Sequence, residues 1–187
     1  MIFAHFLDIA TNESNMFLVA CPETRQAILI DAASFDTRIP AFLNNNNLTL
    51  KAIFITHSHY DHTGGLSEFV HRFNPVVYAG VLDINGIPTL KIGHDSKLQF
   101  GNIEGRFIAL PGHTQESMGL VVPGMVFTGD AIFAGSIGGA ANIHNQAIEI
   151  NAIRNHVFTL PDDTLIHTGH GPSSTVSIEK KHNPFFV

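Results

Sequence analysis

Ile53-Phe54-Ile55-Thr56-His57-Ser58-His59-Tyr60-Asp61-His62-Thr63-Gly64-Gly65 is the stretch from which the rest of the chain is read. An apolar run of strand character ends in four potential metal ligands within six residues. Two glycines then let the chain turn at once into a segment where Leu66, Phe69, Val70 and Phe73 recur at helical spacing. Imidazole and carboxylate groups at this density suit a borderline ion, zinc first, with iron or manganese as alternatives.

Upstream, residues 2–9 and 16–21 are apolar runs parted by the polar Thr11-Asn12-Glu13-Ser14-Asn15, so they predict two strands and a turn. Residues 27–30 predict a third strand ending at Asp31. A helix begun near Ser34 is ended by Asn44-Asn45-Asn46-Asn47, since asparagine competes with helix hydrogen bonds. Downstream, Pro75 closes the helix that follows the cluster and residues 76–79 form a short strand. Residues 81–101 read as loop with a brief strand at 89–92. Strands follow at 107–110, 118–122, 125–128 and 164–167, with a small-residue loop at 135–141 and a helix at 147–157.

One pattern recurs: a strand, a polar ligand at its C-terminal end, and a glycine beside it. It occurs at His57, His113, Asp130 and His170. Strands that present ligands at one edge make a single rim, and many short strands with few long helices predict two sheets sandwiched between helices.

With 187 residues, 44% of them hydrophobic, the chain can bury one good core, and a single domain over 1–187 is expected. No basic leader opens it, and Asp8, Asn12 and Glu13 interrupt the first apolar stretch, so no secretory signal is expected. No run approaches the length of a membrane-spanning helix. The single cysteine, Cys21, excludes an internal disulfide and fits a reducing, cytoplasmic setting. A formal net charge of -6 argues against nucleic-acid or anionic-membrane partners and leaves a small-molecule substrate.

The candidate ligands divide between two ions. His57, His59 and His113 suit one, Asp61, His62 and His170 the other, and Asp130 can bridge them. Ions about 3.5 to 4 Å apart would acidify a shared water and clamp a substrate oxygen, which gives Asp61 and Asp130 a direct part in catalysis. Tyr60, between ligands, and Asn142 and His144, beyond the small-residue loop, are candidates for touching substrate. Asp31 could orient a ligand imidazole. His5, His71, His94, His156 and His182 read as ordinary surface or boundary residues, and His167 as a buried, hydrogen-bonded one.

These residues resemble the metallo-beta-lactamase superfamily. His57-Ser58-His59-Tyr60-Asp61-His62 matches its HxHxDH signature, and Pro111-Gly112-His113-Thr114, Gly129-Asp130 and Gly169-His170-Gly171 match its later metal motifs in order. The resemblance implies an α+β fold, a four-layer αββα sandwich with a dinuclear site at the rim of its sheets. Phe127-Thr128-Gly129-Asp130-Ala131-Ile132-Phe133 and the segment from Gly169 to Phe185 look like the glyoxalase II branch in its short bacterial form, which implies hydrolysis of S-acylglutathione thioesters. Where longer members of that branch carry a Lys or Arg after the bridging Asp, this chain has Gly138-Gly139-Ala140-Ala141, and it ends at Val187 without their helical C-terminal domain.

The function expected is therefore a dinuclear, metal-dependent hydrolase of small thioesters, with hydroxyacylglutathione hydrolysis as the branch reading. A thiol with a pKa near ~8.5 leaves with little help, so no separate general acid is needed. The alternatives are a lactonase, a mononuclear iron persulfide dioxygenase, and a metal-binding module without turnover. One iron per chain with oxygen consumption would mark the dioxygenase, and inert behaviour towards all esters the module.

Overall fold

The computed structural model describes all residues, Met1–Val187. The first sheet begins with Ile2–Asp8 (β1), Ser14–Ala20 (β2) and Gln26–Ile30 (β3), and continues through Thr49–Phe54 (β4) and Val76–Ala79 (β5). A small hairpin, Asp83–Ile84 (β6) and Ile87–Pro88 (β7), precedes its edge strand, Leu90–Lys91 (β8). The order is β1-β2-β3-β4-β5-β8, antiparallel at the start and parallel from β3 onward. The second sheet holds Lys97–Phe100 (β9), Ile103–Ala109 (β10), Met118–Val122 (β11) and Met125–Gly129 (β12). After a hairpin of Ile132–Phe133 (β13) and Ser136–Ile137 (β14), it is completed by Leu165–Thr168 (β15) and Ser174–Thr175 (β16), in the order β16-β15-β12-β11-β10-β9.

Three apolar layers show how the sheets and helices stack. In β2, Met16 and Leu18 face one side while Phe17 and Val19 face the other, and all are buried, so this strand is covered on both faces. Met16 and Leu18 join Ile39 and Leu43 of helix α1 (Arg38–Asn45), and Leu66 and Phe69 of helix α3 (Leu66–Phe73), which follows the one-turn helix α2 (Tyr60–Thr63). Phe17, Val19, Ile30 and Phe54 meet Phe107, Leu120 and Phe127 between the two sheets. Val126 and Ile166 on the outer face of the second sheet pack against Ile153 and Val157 at helix α4 (Ile143–His156), and Val176 at helix α5 (Val176–His182). This is the expected αββα sandwich. No helix is long and apolar enough to cross a membrane.

Strand directions explain the rim. β3, β4 and β5 are mutually parallel; β10 and β12 each run antiparallel to β11, and β15 is parallel to β12. The segments after β3, β4, β10, β12 and β15 therefore leave from one edge. Cross-sheet hydrogen bonds from Asn15 N to Gly169 O (2.8 Å) and from Met118 N to Thr56 O (2.9 Å) hold the two sheets together there.

Several boundaries differ from the sequence reading. α1 starts at Arg38 instead of near Ser34, because Ala32, Ala33 and Ser34 turn against the cluster: Ala32 N donates to His62 O, and Gly65 N donates to Ala32 O. α4 starts at Ile143, four residues before expectation, because the Asn142 side chain caps it by accepting from Asn145 N. The region read as loop contains β6, β7 and β9, and the chain after His170 forms β16 and α5. These pieces are too short to show a period in the sequence.

Candidate metal centre

β3 ends with Asp31 in the left-handed region (φ 59), which swings its carboxylate towards the end of β4. Asp31 Oδ1 accepts from Thr56 N at 2.8 Å, and Oδ2 accepts from Thr56 Oγ1 at 2.9 Å and lies 2.9 Å from His62 Nδ1. Thr56 Oγ1, having given its proton to Asp31, can accept from His57 Nδ1 at 3.1 Å. His113 Nδ1 faces Gly139 O at 2.8 Å, and His170 Nδ1 faces Glu13 O at 3.4 Å. Carbonyl and carboxylate oxygens only accept, so this pattern assigns the proton of all four rings to Nδ1 and leaves each Nε2 lone pair directed into the centre.

The inner atoms converge in two groups. His59 Nδ1 lies 3.0 Å from His57 Nε2 and 3.1 Å from His113 Nε2. His62 Nε2 lies 3.3 Å from His170 Nε2, which is 3.4 Å from Asp61 Oδ2. Asp130 stands between the groups: its Oδ2 is 3.6 Å from His113 Nε2 and 3.4 Å from His170 Nε2, while Oδ1 is 3.3 Å from His62 Nε2. His57, His59 and His113 form one possible ion-holding set; Asp61, His62 and His170 form another; His57, His62 and Asp130 overlap both.

These residues fit metal ions on three grounds. Tetrahedral zinc with bonds of about 2.0 to 2.1 Å sets its nitrogen ligands roughly 3.3 to 3.4 Å apart, near the separations seen. The Nδ1 of His59 faces two nitrogens, and one proton could not serve both at full strength. Asp130 Oδ1 is buried without a hydrogen-bond donor, an expensive state that a cation would relieve. The carboxylate also needs Gly169, where a Cβ would fall 2.0 Å from Asp130 Oδ1.

The electrostatics agree with a built cation site. Burial raises the Asp130 carboxyl, but His170 and His62 outweigh it and hold the acid well below the usual carboxylate range. Burial drives His57 down to about 2, helped by the charge of His62. Burial also lowers His62, yet the charges of Asp31 and Asp130 overcome it and lift the ring to about 10.

All seven sequence-derived ligand candidates meet here. Tyr60, Asn142 and His144 make no hydrogen bond to any of them: Tyr60 is exposed at the start of α2, Asn142 caps α4, and His144 is exposed in that helix's first turn. Four participants had no clear sequence signal. Asn12 Nδ2 donates to Asp61 Oδ2 at 2.9 Å, Ser58 Oγ donates to Glu116 Oε1 at 2.6 Å beside the cluster, and Glu149 is buried behind the His113 turn. His167 lies between the sheets, bonded to Ser173 Oγ at 2.7 Å and stacked on Phe3 and Phe127.

Residues 10–95 match the profile of the metallo-beta-lactamase superfamily. The chain is 32% identical to a probable hydroxyacylglutathione hydrolase of Schizosaccharomyces pombe, covering 93% of this chain and 70% of that one. It is 30% identical to the probable metallo-hydrolase YqgX of Bacillus subtilis, over 86% and 87% of the two chains. The crystal structure of ETHE1 from Myxococcus xanthus superposes with a TM-score of 0.88 at 29% identity, over 98% of this chain and 84% of that one. Profile, relatives, sandwich and clustered His and Asp side chains agree: the chain is a metal-dependent enzyme and belongs to the metallo-beta-lactamase superfamily.

Proposed function

We propose that this chain, acting as a single domain, is a dinuclear metal-dependent hydrolase of small thioesters. His57, His59 and His113 would hold one ion, Asp61, His62 and His170 the second, and Asp130 both; zinc is the first choice, with iron or manganese as alternatives. The observation that carries this reading is the set of Nε2 lone pairs of His57, His62, His113 and His170, turned inward by acceptors fixed on the outer nitrogens. The bound ions would supply an acidified water and positive charge for the substrate's carbonyl oxygen.

The chain's own residues do the rest. Asp31 fixes the tautomer of His62 directly and that of His57 through Thr56, and Asp130 sets Oδ2 between His113 and His170 of the two ligand groups and Oδ1 against His62. No further carboxylic acid or imidazole hydrogen-bonds to the inner atoms as a dedicated proton donor, which suits a thiolate leaving group better than an amine. The names of relatives support hydroxyacylglutathione thioesters as the starting substrates to test.

A second reading rests on one geometric fact. Asp130 Oδ2 lies 3.6 Å from His113 Nε2 and 3.9 Å from His57 Nε2, a two-histidine, one-carboxylate set of the kind that holds a single iron in oxygenases. The likeness to ETHE1 keeps this reading in view. Hydrolysis of S-lactoylglutathione, with metal content determined on the same sample, separates the two. Turnover with about two ions per chain supports the hydrolase. One iron per chain, oxygen consumption and no thioester cleavage would replace it with the oxygenase.

A further inference from the structure

Five large apolar side chains are at least 70% exposed, and four of them stand on segments that bound the metal centre: Ile9 (75%), Tyr60 (74%), Leu82 (70%) and Ile143 (80%). The fifth, Val187, lies outside those segments. Single exposed hydrophobics are ordinary, whereas several gathered around one concave, reactive centre mark a ligand site.

Each of the four is tied to the centre. Ile9 opens the turn whose Asn12 donates to Asp61 Oδ2. Tyr60 stands between His59 and Asp61. Leu82 comes two residues after Gly80, where a Cβ would fall 2.2 Å from the carbonyl oxygen of Glu116, the residue bonded to Ser58. Ile143 begins α4 after the loop whose Gly139 carbonyl faces His113 Nδ1. Phe133, half-buried, adds a ring set at 61° to that of His170 with centroids 6.1 Å apart, so apolar surface reaches a ligand itself.

Tyr60 also opens on a cavity. Its ring folds back over α2, since a Cβ at Gly64 would lie 3.2 Å from Tyr60 Cζ. Beside it is a recess of about 90 Å³ between Tyr60, Leu66, Ile84 and Ile87, lined also by Ser67 and Asn85, and no charged side chain lines it. The β6–β7 hairpin forms one wall, held there by Ile84 and Ile87, which pack on the layer that contains Leu66. Neither the recess nor the exposed side chains contribute a metal ligand.

We infer that the substrate carries an apolar chain, which lies over Tyr60 and ends in the recess between α2, α3 and the β6–β7 hairpin. This rests on the thioester reading and names the class of thioester. Water supplies a hydroxyl group to the carbonyl carbon, the carbon–sulfur bond breaks, and the thiol takes the remaining proton. The chain itself is unchanged and holds the carbonyl in place. Each methylene taken from water is worth roughly fourfold in binding, so partial burial of a few of them already gives a clear preference.

The test uses the full, metal-replete chain and two series of thioesters, each kept below its micelle concentration. In one the thiol is N-acetylcysteamine and the acyl group is acetyl, butyryl or octanoyl. In the other the acyl group is acetyl and the thiol is ethanethiol, butanethiol or octanethiol. Each kcat/KM is divided by that ester's rate with hydroxide, which removes differences in intrinsic reactivity. At least one series should rise about tenfold from its butyl to its octyl member, and the one that rises shows whether the chain is on the acyl or the thiol side. Ser67 is exposed in the first turn of α3, so Ser67→Trp can fill the recess and should cut that octyl-to-butyl ratio about fivefold. Tyr60→Ala, at another exposed position, should lower the same ratio. Two flat series, or a rise that both variants leave intact, would overturn the inference while keeping the thioesterase. Failure to cleave any member would remove the thioester reading, and this inference with it.

Discussion

Asp31 Oδ2 lies 2.9 Å from His62 Nδ1, and the same oxygen accepts from the Thr56 hydroxyl that meets His57 Nδ1. One carboxylate thus sets the tautomer of a histidine in each of the two ligand groups, although it is buried and belongs to neither. Its left-handed backbone (φ 59) is what brings it there.

Asp31→Asn tests that control without removing volume. An amide accepts on one side only: with its oxygen kept on the fixed donor Thr56 N, its NH2 takes the Oδ2 place and faces both His62 Nδ1 and Thr56 Oγ1. His62 must then move its proton to Nε2, the atom directed into the centre. Metal affinity is expected to fall about 10- to 100-fold, with the fold retained by circular dichroism. Competition with a chelator measures it, and unchanged affinity would show that the tautomer is set elsewhere.

Asn12 offers a more selective handle. It and Glu13 both adopt positive φ (56 and 54) at the tip between β1 and β2, and this turn places the Asn12 amide on Asp61 Oδ2. Burial raises the Asp61 carboxyl, but the Asn12 hydrogen bond outweighs it and keeps the acid below its ordinary value. Asn12→Ala should weaken the ion held with Asp61 by about tenfold and spare the one held by His57, His59 and His113. Two-step metal titration resolves the two; equal weakening of both steps would contradict the assignment.

The succession of strands and the polar ends at His57, His113, Asp130 and His170 were legible from the recurrent apolar run, polar residue and glycine, and His59, Asp61 and His62 from their crowding behind the first of these. The reach of Asn12 to Asp61 was not, since it depends on two left-handed residues and on a contact spanning 49 positions of sequence. α1 was read too early because Ser34 is a good cap by type, yet residues 32–34 are occupied by contacts with the metal-ligand segment, which sequence periodicity does not register. The burial of Glu149 within α4 carried no sequence signal, since it depends on Gly112 turning with φ 144 directly against it.

Gly138 links that helix to the centre. A Cβ there would lie 2.0 Å from Asp130 O and 2.8 Å from Glu149 Oε1, while the next residue's carbonyl holds His113 Nδ1. The backbone atom cannot yield cheaply, so Gly138→Ala should displace the loop and cost about 2 kcal/mol. Denaturant unfolding measures that loss. Activity should drop further than stability does, because the displaced carbonyl frees the ring of His113. A variant that is destabilised but fully active would show that Gly139 does not orient it.

His167 gives the clearest pH dependence away from the ligands. Its ring is packed among Phe3, Phe17 and Phe127, with Nδ1 on Ser173 Oγ and Nε2 buried without a partner. Burial, aided by the charge of His5, pushes it down to about 4. The unfolded chain takes up this proton near ~6.5, so between those values the unfolded state binds more protons and stability rises with pH. His167 costs nothing above about pH 6.5, and destabilisation grows as pH falls towards 4, to at most about 3 kcal/mol. His167→Phe keeps the aromatic contacts and removes the titration. Urea unfolding at pH 7 and pH 5, with chelator present so that ion release does not contribute, should show a smaller loss of stability in the variant than in the unaltered chain. Parallel losses would mean that His167 takes up its proton in the folded protein as readily as in the unfolded chain, its packing against Phe3, Phe17 and Phe127 accommodating the charge.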